Sequence, residues 1–186
     1  MIAHMIGGEA KEYHKNLSDV LASAYRLRPV TTQINPHITF KAPFDALSSD
    51  LHEAEHVVQK FAQTRSPITY TLKGFGSFGD RVVFMDVEGG DAMKELQEEL
   101  KEELKQLPWL EFKPHEEETR PHATLCYPRN SAQAQDIVTR LTERGGKQFN
   151  CTLDSIALLK KDERRWEVVK EFKLGGSDSA LGSVVV

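Results

Sequence analysis

Apolar positions along the chain follow two rhythms, one with a period near two and one near 3.6. Residues 2–6 read as a short strand, and 9–25 as a helix with Tyr13, Leu17, Val20, Leu21 and Ala24 at helical spacing. A connector containing Pro29 leads to a strand over Pro36–Ala42, closed by Pro43. A second helix spans 49–63, opened by Ser49 or Asp50 as N-cap. Ile68–Leu72 is the next strand, followed by a glycine-rich turn and a strand over Arg81–Val87. Asp91 caps a helix over 92–107, with Met93, Leu96, Leu100, Leu104 and Leu107 on one face and Pro108 beyond its end. His122–Tyr127 reads as a strand and 131–144 as a helix stopped by Gly145-Gly146. Two closing strands, 150–159 and 165–174, flank the turn Lys161–Arg164. One unit of 1–174 is expected, with a mobile tail over 175–186.

The order strand, helix, strand, helix occurs before residue 65 and again between 68 and 145. The strands beginning near 36 and near 121 take matching places, which suggests two similar lobes around a shared cleft.

Both strands open with the same word. One is Pro36-His37-Ile38-Thr39-Phe40 and the other Pro121-His122-Ala123-Thr124-Leu125. At ordinary residue usage, two Pro-His-x-Thr words arise together in roughly one sequence in ten thousand of this length. Side chains at i and i+2 of a strand share a face. Each strand therefore presents one imidazole and one hydroxyl on one side and apolar groups on the other. In-line cleavage of a phosphodiester needs a base on the nucleophile and an acid on the leaving oxygen, and histidine serves both roles near neutral pH. Two hydroxyls supply donors for the non-bridging oxygens, where negative charge concentrates. Such a set needs no metal or other cofactor.

The paired words resemble the two HxTx signatures of the two-histidine (2H) phosphoesterase superfamily, in its 2′-5′ RNA ligase and RNA 2′,3′-cyclic phosphodiesterase branch. The likeness runs over roughly 1–174 and includes His37-Ile38-Thr39-Phe40-Lys41 and Gly74-Phe75-Gly76-Ser77-Phe78. It implies an α+β fold with two pseudosymmetric lobes, antiparallel sheets around a central cleft, and helices outside. It also implies opening of a 2′,3′-cyclic phosphate at an RNA 3′ end or on a small nucleotide. His37 and His122 would be acid and base, in an order the sequence leaves open, and Thr39 and Thr124 would bind the phosphate. Reverse 2′-5′ ligation is open to the same pair. One departure is visible: the branch often carries His-x-Thr-Leu-x-Arg, but the last position here is Tyr127 and the nearest arginine is Arg129. Lys41, on the His37 face by alternation, is a candidate for the missing charge, and Tyr127 for stacking on a base.

Composition narrows the alternatives. The 186 residues carry 24 basic and 28 acidic groups, a net charge of −4, so no global basic footprint marks a duplex nucleic-acid binder. The N-terminal residues read as neither a signal peptide nor a membrane span, and the two cysteines lack a CxxC pairing. A cytoplasmic location without a membrane or obligate protein partner is expected. His52-Glu53-Ala54-Glu55-His56 matches the HExxH zinc word, but helical geometry puts both histidines on the charged face. Gly74-Phe75-Gly76-Ser77-Phe78-Gly79 matches G-x-G-x-x-G but runs into a strand, so a bulged hairpin fits better than a dinucleotide loop. His115 beside three glutamates reads as an exposed acidic loop, and His4 is a candidate for the cleft wall. The rival to an enzyme is a binding module that holds a nucleotide or RNA end in the same cleft.

Overall fold

A computed structural model describes residues 1–88, 90–116 and 119–175. Strands β1 (Ile2–Met5), β2 (His37–Lys41), β7 (Ser155–Asp162) and β8 (Arg165–Lys173) form one antiparallel sheet in the order β2-β1-β7-β8. Strands β3 (Ile68–Phe78), β4 (Val82–Glu88), β5 (His122–Cys126) and β6 (Phe149–Leu153) form the other, in the order β5-β4-β3-β6. Helices α1 (Gly8–Tyr25), α2 (Ser48–Gln63), α3 (Asp91–Leu104) and α4 (Ser131–Arg144) complete an α+β fold. Ile2, Ile38, Ile156 and Leu158 of the first sheet join Leu72, Met85, Leu125 and Leu153 of the second in one continuous core.

The repeat read from the sequence is a real correspondence of topology. Unit β1-α1-β2-α2 matches β4-α3-β5-α4, and β2 and β5 are edge strands lying against each other. Helices α2 and α4 back their own sheets, whereas α1 crosses to β5 and α3 crosses to β2.

Both edge strands carry a β-bulge at the same place. In β2, Thr39 pairs with Ala3 and Lys41 with Ile2, so Phe40 is the extra residue. In β5, Thr124 pairs with Phe84 and Cys126 with Val83, so Leu125 is the extra residue. A bulge breaks the alternation of side chains and sharpens the local twist. The edges are then closed by polar side chains from the crossing helices. Gln97 of α3 donates Nε2–H to the Thr39 carbonyl at 2.9 Å, and Ser18 of α1 donates its hydroxyl to the Leu125 carbonyl at 2.6 Å. Burying these carbonyls without donors would cost free energy.

Several expectations shift. The buried stripe of α1 is Ala10, His14, Ser18, Leu21 and Ala22, while Val20 is exposed, because α1 docks on a strand edge that needs polar partners. The expected strand 150–159 is two strands, one in each sheet, changing sheets at Asp154. Helix α2 begins at Ser48, and Asp50 accepts the Leu47 amide from inside the first turn. Helix α3 begins at Asp91 itself and ends at Leu104, short of the expected 107. Strand β3 runs on through the expected glycine turn to Phe78. Gly175 donates its amide to the Ala62 carbonyl at 3.0 Å; the rest of the expected tail, 176–186, lies outside the described residues.

Lys41 is only 1 % exposed. The Phe40 bulge turns it onto the Ile2 side, away from Thr39, and its ammonium meets both Glu116 oxygens at 2.9 and 3.0 Å. Burial works to raise the Glu116 carboxyl, but the amides of Lys113 and Ala42 and the Lys41 ammonium together hold it below the usual range. Removing one partner of a buried pair strands the other charge. Lys41→Met is expected to cost about 3–5 kcal/mol in denaturant unfolding, and the double variant Lys41→Met/Glu116→Gln to recover a large part of it.

His14 is 2 % exposed, beside the Ala123 and Thr124 backbone, and neither ring nitrogen makes a well-formed hydrogen bond. Burial, chiefly, lowers its pKa to about 4. A histidine held neutral in this way gives stability that is intact above about pH 6.5 and is lost as pH falls toward 4, where the unfolded chain alone takes up the proton. His14→Leu should therefore flatten the acid limb of unfolding free energy between these pH values by on the order of 3 kcal/mol. An unchanged limb would show that other groups set it.

Candidate active site

The register places each motif threonine with its histidine. His37 pairs with Met5 and Thr39 with Ala3; His122 pairs with Asp86 and Thr124 with Phe84. All four motif side chains are half-buried. Among the described residues, neither threonine hydroxyl is engaged by another protein group, so both are available as donors.

The imidazoles are held by the same device. His37 Nδ1 lies 2.9 Å from the carbonyl oxygen of Asn35, and His122 Nδ1 lies 2.7 Å from that of Arg120. A carbonyl only accepts, so each Nδ1 carries the hydrogen, and each Nε2 has its lone pair free when the ring is neutral. Burial lowers the pKa of both rings. At His37 the Asn35 bond opposes this and the charge of nearby His122 adds to it. At His122 the Arg120 carbonyl opposes burial, the Arg120 guanidinium lowers the value further, and Asp86 raises it. A charge on His122 thus disfavours one on His37.

Around His122 stands a wall that the sequence reading missed. Phe78 meets the His122 ring edge-on at 4.8 Å between centroids, Phe84 lies at 5.2 Å, and the two phenyl rings are 4.6 Å apart. This explains the G-x-G-x-x-G word. Gly74, at φ +78°, takes the left-handed turn of a bulge in which Lys73 and Gly74 oppose Asp86. A Cβ on Gly76 would sit 2.7 Å from the Phe84 ring, so glycine is what lets that ring reach His122. The Arg120 guanidinium carbon lies 5.0 Å from the Phe84 centroid and 5.5 Å from that of Phe78, and Nη2 bonds Asp86 at 2.9 Å. A cavity of about 810 Å³ opens here, lined by Phe78, Arg81, Pro114, Arg120, His122 and Tyr127. Only the order of residues around His122 offered a signal for Arg120, which directly precedes Pro121.

The other sequence candidates separate. Lys41 is spent on Glu116, so the expected phosphate cation does not lie on the His37 face. Tyr127 is 54 % exposed on the cavity wall. Arg129 donates to the Arg26 carbonyl at 2.7 Å and so ties β5 to the end of α1. His4 pairs opposite Ile38 and points away from the cleft, its ring bonding Ser155 and Tyr70 at 3.2 and 3.1 Å. His52 is 80 % exposed by its side chain, and Glu53 accepts from Trp109 Nε1 at 2.9 Å, so the HExxH word is an outer helix face. Among the described residues no three His, Cys, Asp or Glu side chains are grouped to hold a metal ion. Of the acidic loop, Glu116 is the buried partner of Lys41, Glu117 and Glu118 lie outside the described residues, and the His115 side chain does too. No helix among the described residues is long and apolar enough to cross a membrane.

Known proteins agree with this architecture. The model of the 2′-5′ RNA ligase superfamily matches residues 14–165. A Bacillus pumilus protein named "Putative phosphoesterase" is 30% identical over 167 residues, covering 87% of this chain and 92% of its own. The structure of Escherichia coli LigT complexed with 3′-AMP superposes with a TM-score of 0.71 at 15% identity, over 94% of this chain and 97% of that one. TT0787 of Thermus thermophilus superposes at 0.64 with 17% identity, over 95% and 98%. The two matched lobes, each with its His-x-Thr strand, and the family match over most of the length agree: this chain belongs to the 2′-5′ RNA ligase superfamily, the 2H phosphoesterases.

Proposed function

We propose that this phosphoesterase-family chain opens 2′,3′-cyclic phosphates, at an RNA 3′ end or on a small nucleotide, by general acid–base catalysis between His37 and His122 without a metal. The observation that carries this reading is the matched pair of Nδ1–H···O=C bonds, which leaves one Nε2 from each lobe for the substrate. One neutral imidazole takes a proton from water as its oxygen attacks phosphorus. The other, as imidazolium, gives its proton to the departing ribose oxygen. The P–O3′ bond breaks and a 2′-phosphate remains. Thr39 and Thr124 donate to the non-bridging oxygens, where charge builds in the transition state. With a 5′-hydroxyl in place of water as the nucleophile, the same forward steps break the P–O3′ bond, return its proton to O3′ and leave a 2′-5′ linkage. E. coli LigT, which shares the fold, has been crystallised with 3′-AMP and with phosphate, which supports a phosphate-sized site in this architecture.

Hydrolysis of nucleoside 2′,3′-cyclic monophosphates in excess EDTA tests this. The free-enzyme pKa values are lowered for both histidines, so kcat/KM should trace a bell with its maximum below about pH 6.5. His37→Ala and His122→Ala should each reduce kcat by about 10²–10⁴-fold. Turnover that survives in the double variant would refute the assignment. Thr39→Val and Thr124→Val should each cost on the order of 10²-fold in kcat with the pH limbs unmoved.

A further inference from the structure

A cation stands beside His122, at the start of its strand. Arg120 precedes the motif; its carbonyl fixes His122 Nδ1 while its guanidinium shares the Phe78 and Phe84 rings with the imidazole. It lines the same cavity as His122. The matching residue of the other lobe, Asn35, supplies the same carbonyl to His37 but no charge, and its Oδ1 accepts from Arg165 at 3.3 Å. Lys41 and Arg129 are committed elsewhere.

We propose that Arg120 is a phosphate ligand of this site, with the Asp86 carboxylate as the resident acceptor against which the incoming anion competes. The proposal rests on the phosphodiesterase reading above. An arginine has five N–H donors in a planar fork. Among the described residues only Nη2 has a protein acceptor, the Asp86 carboxylate at 2.9 Å. The rest of the fork is free for a non-bridging oxygen, in the charge-assisted geometry that suits phosphate. A bracing role explains the arrangement poorly. The ion pair is half exposed, at 49 % and 35 % for the two side chains, and such pairs add little to stability. The aromatic rings hold the half-exposed cation at the cavity wall beside His122.

The two members of the pair make opposite predictions if Arg120 binds phosphate, and like predictions if it only braces β4 against β5. The probe is 2′-AMP, titrated calorimetrically into wild type, Arg120→Gln, Arg120→Lys and Asp86→Asn. Arg120→Gln should weaken binding at least tenfold, Arg120→Lys less so because a lysine has no fork, and Asp86→Asn should tighten it about threefold by removing a competing carboxylate. By NMR, His122 should titrate higher in Arg120→Gln and lower in Asp86→Asn. Guanidinium added to Arg120→Gln should restore part of the lost affinity. Loss of affinity in both Arg120→Gln and Asp86→Asn, no change in either, or no binding of 2′-AMP to wild type at millimolar concentration would overturn the proposal. Opposite shifts in binding without any cyclic-phosphate turnover would leave Arg120 as a ligand and defeat the catalytic reading. Turnover that needs both histidines, with 2′-AMP affinity untouched by Arg120→Gln, would do the reverse.

Discussion

The bulge that follows each motif threonine is the constraint from which the rest of the site follows. A regular strand through His37, Thr39 and Lys41 would set all three on one face. The extra residue at Phe40 keeps the imidazole and hydroxyl together and sends the lysine to the opposite side, where Glu116 and the loop from α3 close over it. Leu125 does the same in β5, where Cys126 is the residue turned inward. A bulged edge exposes carbonyls that a hydrogen-bond ladder would otherwise use, and each is met by a helix that crosses from the opposite lobe, through Gln97 in one case and Ser18 in the other. The lobes are therefore tied together at the two motif strands by packed helices.

The symmetry is broken where selectivity would need it to be. His37 sits beside Met5 and behind Asn35, whose side chain accepts from Arg165. His122 has Asp86 across the ladder, two phenyl rings against it and a guanidinium stacked on those rings. The glycines of the 74–79 segment serve this second wall: one turns the bulge, and another removes the Cβ that would block Phe84. A chemically symmetric pair of strands thus ends in an electrostatically lopsided cleft, with a cavity beside His122.

The duplicated Pro-His-x-Thr words, the order of helices and strands, and the alternation inside each strand were readable from residue types because each rests on local pattern. Lys41 was misplaced because alternation is a rule about regular strands, and a bulge of one residue leaves no compositional mark. The split of 150–159 escaped for a related reason: Asp154 interrupts an otherwise strand-like run, and only the pairing of its two halves with different sheets makes it a crossing point. His14 and Ser18 are invisible as buried residues in a search for apolar stripes, since both pack on the backbone of a strand over a hundred positions away, which Ser18 meets through its bond to Leu125. Arg120 and Phe78 belong to this class as well; their contact with His122 is made by strand register and ring packing, which no short motif encodes.

The most direct test of the shared site is the protonation of its two rings, read by long-range ¹H–¹⁵N correlation NMR on histidine-labelled protein at a pH above both transitions. Both His37 and His122 are expected as the Nδ1–H tautomer, with the two Nε2 signals shifting together as 2′-AMP is added. An Nε2–H tautomer at either ring, or a response confined to one histidine, would contradict a single phosphate held between the two lobes.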